Sequence, residues 1–238
     1  MPGNLKSTVP ATAKLIEQQL GKWELAHRDH PADAPAREAV ENFICISRMV
    51  GIDGHDIGVL VGDRLGWPVF GREILEAMAE DDAIRRRIYA RMDERDLTWW
   101  EESLRAVLDA DFVRNDYFKR LCETVLSLAR QGRSVFVGRG SDLILPSGRG
   151  LRVRLVAGLN SRIRWYAEAA GLDADKARRE LERVEKERGD FLHHRFGADA
   201  SDPLRHDLVL NLDRWGAEDV VGMILDAYRR RNTASPDG

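Results

Sequence analysis

The stretch F-I-C-I-S-R-M-V-G-I-D-G-H-D-I-G, Phe43–Gly58, decides the fold. Its first five residues, Phe43–Ser47, are a continuous apolar block, which is typical of a buried parallel strand. Gly51 and Gly54 then allow a tight turn that presents several backbone N–H groups, and an amphipathic helical pattern follows from Ile57. A strand, a glycine-containing turn and a helix N-terminus together favour binding of a phosphate group.

This loop differs from the G-x-x-x-x-G-K-[ST] pattern of a complete phosphate loop. His55 stands where that pattern has lysine, and Asp56 and Ile57 stand where Ser or Thr would reach magnesium. A turn with two glycines between a strand and a helix is also common as plain structure. The loop alone therefore leaves a structural role open.

Outward from this segment, short apolar runs alternate with long amphipathic stretches. The other predicted strands are Trp67–Phe70, Ser134–Gly138, Leu151–Ala157 and Asp207–Asn211. The predicted helices are Ile57–Leu65, Glu73–Met92, Leu97–Ala110, Tyr117–Arg130, Arg162–Ala170, Asp175–Phe196 and Ala217–Arg231. This alternation predicts an α/β fold with a doubly wound, mainly parallel five-stranded sheet.

The N-terminal region differs from the rest of the chain. Ala11–His27 has apolar residues at helical spacing and predicts an extra helix, which either packs on the chain or serves as the arm of a homodimer. A linker with two prolines follows over Asp29–Pro35. We therefore predict an N-terminal extension over residues 1–41, a main α/β domain over 42–231 and a flexible tail over 232–238.

Composition excludes several classes of protein. The 238 residues carry a formal net charge of −3, which argues against a nucleic-acid binder, and 43% of them are hydrophobic, which is enough for a core. The longest apolar runs, such as Val220–Leu225, are far shorter than the ~18 residues of a membrane span. Cys45 and Cys122 cannot form a disulfide framework, so we expect a reducing, cytoplasmic setting.

Arginines mark two further segments. Arg139 lies between two glycines after a predicted strand, where its planar fork suits bidentate contact with a phosphate. Arg188 and Arg195 lie near the end of the long helix, as in a helical lid that closes over a transferred phosphoryl group. The alternating charges of Arg178–Lys186 predict a solvated helix face instead.

Several segments match a known family in order and spacing. Residues 46–58 look like its signature I-S-R-x-x-G-x-G-G-R-E-I-G, Leu65–Phe70 with Glu73–Ile74 is similar to its L-G-x-P-x-[FY]-D-[KR]-E-I segment, and Val137–Gly140 looks like its V-G-R-G turn. Arg162 matches the arginine that opens the family's lid region, and Glu187-Arg188 matches its E-R pair. The family's ending, D-P-x-x-[YF]-D-x-x-[IL]-N, is matched at Asp202-Pro203, Asp207 and Asn211. From about Asn42 to Tyr228, the chain resembles the cytidylate kinase-like family of P-loop nucleoside monophosphate kinases.

The resemblance implies transfer of the γ-phosphoryl group of ATP to CMP, dCMP or a similar acceptor, with Mg²⁺ held mainly through nucleotide phosphates. It implies that the phosphate loop holds the donor, that Arg139 holds the acceptor phosphate and that the lid arginines close over the transferred group. The predicted catalytic residues are His55, Arg162, Arg188 and Arg195. The predicted nucleotide- and phosphate-binding residues are Ser47, Arg48, Gly51, Ile52, Asp53, Gly54, Asp56, Ile57, Arg72, Arg139 and Asp142.

Three departures from the family pattern, each at a charged position, define an alternative. His55 replaces the basic residue of the loop, Gly71 replaces an acid, and Trp165 replaces a second lid arginine. A nucleotide-binding protein of the same fold with impaired catalysis, in a regulatory or structural role, is therefore the second hypothesis.

Overall fold

The strand Phe43–Arg48 is the central strand of a five-stranded parallel sheet. A computed structural model describes residues 9–28, 42–90, 103, 116–130, 132–147 and 150–233. The strands are β1 (Phe43–Arg48), β2 (Val69–Phe70), β3 (Ser134–Val137), β4 (Leu151–Val156) and β5 (Leu208–Asn211), in the order β2-β3-β1-β4-β5. The predicted α/β class with a five-stranded parallel sheet is confirmed.

Helices flank these strands in chain order. In the described ranges they are α1 (Val9–Arg28), α2 (Gly54–Leu65), α3 (Arg72–Glu80), α4 (Asp82–Tyr89), α5 (Asp116–Arg130), α6 (Ser141–Ile144), α7 (Leu159–Ala170), α8 (Ala174–Phe196) and α9 (Ala217–Thr233), with a short 3₁₀ helix at Pro203–Arg205. None of them is both long and apolar enough to cross a membrane.

One predicted helix is wrong in extent. The segment Glu73–Met92 is not a single helix, because Asp81 adopts an extended conformation between α3 and α4 (ψ 107°). Its carboxylate accepts hydrogen bonds from the N–H groups of Ala83 and Ile84, at 2.8 and 3.1 Å, and so caps α4. The predicted helix Leu97–Ala110, the linker and most of the predicted tail lie outside the described residues.

The chain forms two compact units, and the first comprises Met1–Phe43 and Gly62–Gly150. In it, α1 packs on α3 with Leu20 and Trp23 buried, and Nε1 of Trp23 donates to the carbonyl of Leu128 at 3.1 Å. Oε1 of Gln19 accepts from the N–H of Val69 at 2.7 Å and so covers the edge strand β2. The apolar stripe of α1 is thus used within the chain, and a homodimer through this helix stays a prediction.

The second unit comprises Ile44–Val61 and Leu151–Gly238. Strand β1 pairs with β4, and in this register Ser47 lies opposite Arg154. Strand β4 also pairs with β5, where Arg154 lies opposite Val209. Val50, from the segment after β1, packs in a buried cluster with Ile163 of α7 and with Ala177 and Leu181 of α8. This cluster fixes the start of the loop relative to the two helices.

Candidate functional site

The loop between β1 and α2 runs from Met49 to Asp53 within the second unit. It contains Gly51 in the left-handed region, with φ +89°. A Cβ atom on this residue would lie 2.7 Å from the carbonyl oxygen of Arg162 and 3.1 Å from Cδ1 of Leu181. Gly51 therefore lets the loop approach α7 and α8 closely, and any side chain there would be both strained and crowded.

The N-terminus of α2 is occupied by a carboxylate of the same chain. Oδ1 of the exposed Asp53 accepts a hydrogen bond from the N–H of His55 at 2.9 Å, and Asp56 adds a second carboxylate in the first turn. A Cβ on Gly54 would lie 2.6 Å from Cδ of Arg48, so this glycine gives room for the arginine stem to cross the start of the helix. The side chains of Ile52 and Ile57 are buried beneath this turn. These two predicted binding residues could therefore contact a ligand only through their backbone N–H groups.

Arg162 lies beneath the loop, with its side chain only 7% exposed. Its Nη1 donates to both carboxylate oxygens of Glu185 in α8, at 2.8 and 3.0 Å, and to the carbonyl of Val50 at 3.3 Å. A buried guanidinium needs such partners, because an unpaired buried charge is costly. Arg162 thus joins the loop to α8.

A second arginine of α8 holds the other end of the same segment. Nη1 of the half-buried Arg188 donates to the carbonyl of Arg48 at 2.9 Å. The main chain of residues 48–50 is therefore fixed by two arginines that the sequence assigns to the lid. Arg195 lies in the same helix, but its side chain is outside the described residues.

Beside this segment, Ser47 at the end of β1 contacts two basic side chains. Nε2 of His206 lies 2.9 Å from its hydroxyl, and Nη1 of Arg154 donates to the same oxygen at 3.4 Å. Arg154, Arg188 and His206, together with Met49, line a cavity of about 260 Å³. The loop of the second unit is thus flanked by a small cavity whose lining includes three basic side chains and the carboxylates of Glu185 and Asp202.

The first unit contains the other predicted phosphate ligand. Gly138, Arg139 and Gly140 are three consecutive residues in the left-handed region, with φ 77°, 58° and 68°. For a residue other than glycine this conformation is uncommon, and it is found disproportionately at functional sites. Arg139 forms an ion pair with Glu76 of α3, and Nε of Arg72 contacts the same carboxylate at 3.3 Å.

A cavity of about 590 Å³ lies beside Arg139 and is lined by three glutamates of α3 and by Tyr117. Burial, together with the negative charge of Glu80, raises the pKa of Tyr117, so the phenol stays protonated at neutral pH. Asp142 is half-buried in the short helix α6, two residues beyond Gly140. The structure thus places Arg72, Arg139 and Asp142 in the first unit and the loop with its arginines in the second.

Comparison with known proteins identifies the family. The model of the cytidylate kinase-like family matches residues 43–214, which is most of the chain. The chain belongs to the cytidylate kinase-like family. Among solved structures it is similar to a protein from Eubacterium ventriosum ATCC 27560, at 18% identity with a TM-score of 0.62, over 80% of this chain and 99% of that one, which shows the shared fold.

It is also similar to a shikimate kinase from Bacteroides thetaiotaomicron, at 14% identity with a TM-score of 0.44, over 78% of this chain and 97% of that one. No curated protein matches the chain with significance.

Three residues that contact the predicted site residues are absent from the sequence-based assignment. Glu185 lies within the segment predicted as a solvated face, whereas the structure turns it toward Arg162. That prediction holds for Arg183, which pairs with Glu180 and Glu187 on the exposed side of α8. Glu76 and His206 carried no motif signal, although His206 stands where the family ending has Tyr or Phe.

Proposed function

We propose that this chain is a nucleoside monophosphate kinase that transfers the γ-phosphoryl group of ATP to CMP, dCMP or a similar acceptor. Membership of the cytidylate kinase-like family supports a phosphotransferase. The observation that carries the proposal is the loop after β1, whose main chain is held at Arg48 and Val50 by Arg188 and Arg162. A held loop supports transfer, because this reaction depends on positioning and on charge stabilisation more than on covalent chemistry.

On the donor side, the backbone N–H groups of the loop and the N-terminus of α2 would hold the phosphates of ATP. Arg162 and Arg188 bind loop carbonyls in this structure. To act on the transferred group, each would keep its loop carbonyl and direct another guanidinium N–H to a phosphate oxygen, and the imidazole of His55 would donate to the donor phosphates.

On the acceptor side, Arg139 would bind the phosphate of the nucleoside monophosphate with its planar fork. Its ion pair with Glu76 would be replaced by that phosphate. An acceptor phosphate oxygen then forms a bond to the γ-phosphorus as the bond to the bridging oxygen of ADP breaks. The products are ADP and a nucleoside diphosphate.

Magnesium would arrive with the nucleotide. In the described residues, no group of three His, Cys, Asp or Glu side chains could hold a metal ion. Mg²⁺ keeps several waters and binds readily through substrate phosphates. When bound, Mg²⁺ neutralises phosphate charge during transfer.

The alternative is a nucleotide-binding protein of the same fold that turns over poorly or not at all. This alternative is favoured by three contacts in which a carboxylate of the chain binds a group that would otherwise bind phosphate. Asp53 caps α2, Glu185 pairs with Arg162, and Glu76 pairs with Arg139. Each contact must be exchanged before a phosphate can bind.

Two measurements on the native protein separate these functions. Calorimetry with ATP and Mg²⁺ reports binding, and a coupled assay of ADP formation with CMP reports turnover. The kinase function predicts both signals. Binding without CMP-dependent ADP formation would support the alternative, and absence of both would reject nucleotide binding altogether.

A further inference from the structure

The helix α1 lies outside the residues that the family model matches. The match covers residues 43–214, whereas α1 is formed by Val9–Arg28. The helix nevertheless packs as part of the first unit, because Ile16, Leu20 and Trp23 are each at most 5% exposed. It is therefore a fixed part of this fold to which family membership gives no role.

Ion pairs fix the rotation of α1 relative to α4. Nε of Arg87 donates to Oε1 of Glu24 at 2.7 Å, and its Nη1 donates to both carboxylate oxygens of Glu17, at 3.2 and 3.0 Å. Glu17 and Glu24 lie about two helical turns apart on one face of α1. One guanidinium that binds both, together with the buried contacts of Gln19 and Trp23, determines which face of α1 is turned inward.

In this orientation α1 borders the cavity beside Arg139. Thr12, in the first turn of α1, lines this cavity together with the glutamates and Ala77 of α3 and Tyr117 of α5. Its volume of about 590 Å³ lies within the range typical of small-molecule sites. We propose that this cavity holds the nucleoside of the acceptor and that Thr12 limits the room available to it. The inference deepens the proposed function, on which it rests for the nature of the ligand.

The lining suits a ligand with a phosphate at one end and hydrogen-bond donors along its length. Arg139 offers its planar guanidinium to the phosphate. Glu73, Glu76 and Glu80 are three and four residues apart and therefore share one face of α3. Carboxylates only accept hydrogen bonds, and the hydroxyl groups of a ribose and the amino group of cytosine can donate to them.

The charges of the lining are linked to one another. Glu76 pairs with both Arg139 and Arg72, and the phenol of Tyr117 is neutral because its pKa is raised. A ligand whose phosphate binds Arg139 would release Glu76 from that pair. The freed carboxylate would then accept a hydrogen bond from the nucleoside, so one exchange would serve both ends of the ligand.

The variant Thr12→Trp tests the role of Thr12 directly. Calorimetric titration of the full chain with CMP should show binding at least about tenfold weaker than in the native protein, because an indole at this position fills space that the nucleoside needs. Thr12→Ser adds no volume and should keep the native affinity. ATP with Mg²⁺, which the proposed function places at the loop after β1, should bind to all three proteins equally.

The matched control is Lys14→Trp. Lys14 is exposed and lies two residues further along α1, so it is turned away from the face that carries Thr12. An indole there should leave CMP affinity unchanged. Native CMP affinity in Thr12→Trp would overturn the inference, and so would an equal loss in Lys14→Trp, a parallel loss of ATP binding, or a native protein that does not bind CMP.

Binding and turnover together separate this inference from the proposed function. Weaker CMP binding in Thr12→Trp, with no CMP-dependent ADP formation by the native protein, would uphold the role of Thr12 and reject the kinase function. CMP-dependent ADP formation with the same KM for CMP in the native protein and in Thr12→Trp would uphold the kinase function and overturn the role of Thr12.

Discussion

In the proposed function, Arg139 is the residue that would bind the acceptor phosphate. It adopts φ 58° between two left-handed glycines and forms its ion pair with Glu76. A strained residue persists only when the surrounding structure fixes it, and such strain is concentrated at functional sites. Its guanidinium is thus held ready to exchange one anion, the glutamate carboxylate, for another.

We expect Arg139→Ala to weaken CMP binding by roughly 2–4 kcal/mol, because charge-assisted hydrogen bonds to the phosphate are lost. Arg139→Lys should recover only part of the affinity, since an ammonium group lacks the bidentate fork. Calorimetric titration with CMP measures both changes. Arg86→Ala, at an exposed arginine of α4, serves as the control, and unchanged CMP affinity in Arg139→Ala would remove this residue from the site.

At the scale of elements, α8 and the loop are joined by Glu185. Its carboxylate binds Arg162, which in turn binds the carbonyl of Val50. We expect Glu185→Ala to lower the free energy of unfolding by about 1–3 kcal/mol, because a buried guanidinium loses its counter-charge. It should also weaken ATP binding, since the loop loses one of its fixed points.

The matched control for this change is Glu182→Ala, one turn earlier in α8. Glu182 pairs with Arg178 at 3.8 Å, and both side chains are about half exposed. Its loss should cost less than about 1 kcal/mol and leave ATP binding unchanged. Urea denaturation and calorimetry measure the two effects, and equal losses in both variants would contradict the role given to Glu185.

The start of α8 makes part of the stability dependent on pH. The carboxylate of Asp173 accepts hydrogen bonds from the backbone N–H of Lys176 and, with a smaller effect, from the side chain of Lys176. These hydrogen bonds hold the pKa of Asp173 below its ordinary value of 3.8. A lowered pKa in the folded state means that the stabilisation is complete above pH 3.8 and is lost as pH falls through the lowered value.

Asp173→Asn should therefore lose less stability than the native protein as pH falls, because it has no carboxylate to protonate. Thermal unfolding followed from about pH 6 to about pH 3, across the ordinary range of aspartate, tests this expectation. Parallel losses in the two proteins would show that the cap does not contribute to the pH dependence.

The sequence predicts which strands and helices exist. It predicts less well where a helix is interrupted and which side chains of a helix face the protein interior. The five strands follow from continuous apolar runs such as Phe43–Ser47, because parallel strands are buried on both faces. The break at Asp81 was missed because its cap competes with a helical pattern that continues past it. The alternating charges predict a surface position for Glu185, because helical charge spacing does not show which turn meets a buried arginine.

The start of α2 is a second place where the sequence pattern does not show the local contact. An aspartate just before a helix is a typical N-cap, so the contact of Asp53 with the N–H of His55 was within reach of sequence reasoning. The glycines on either side favoured a phosphate cradle instead. In the structure, one N–H group of the first turn is bonded to Asp53.

At the scale of the whole molecule, the central claim is phosphoryl transfer between two nucleotides. The most direct test is ADP formation from ATP and Mg²⁺ with a panel of CMP, dCMP, UMP, AMP and GMP, using the native chain and Arg139→Ala. We expect ADP formation that requires CMP or dCMP and is lost in Arg139→Ala. No acceptor-dependent ADP formation with any member of the panel would contradict it.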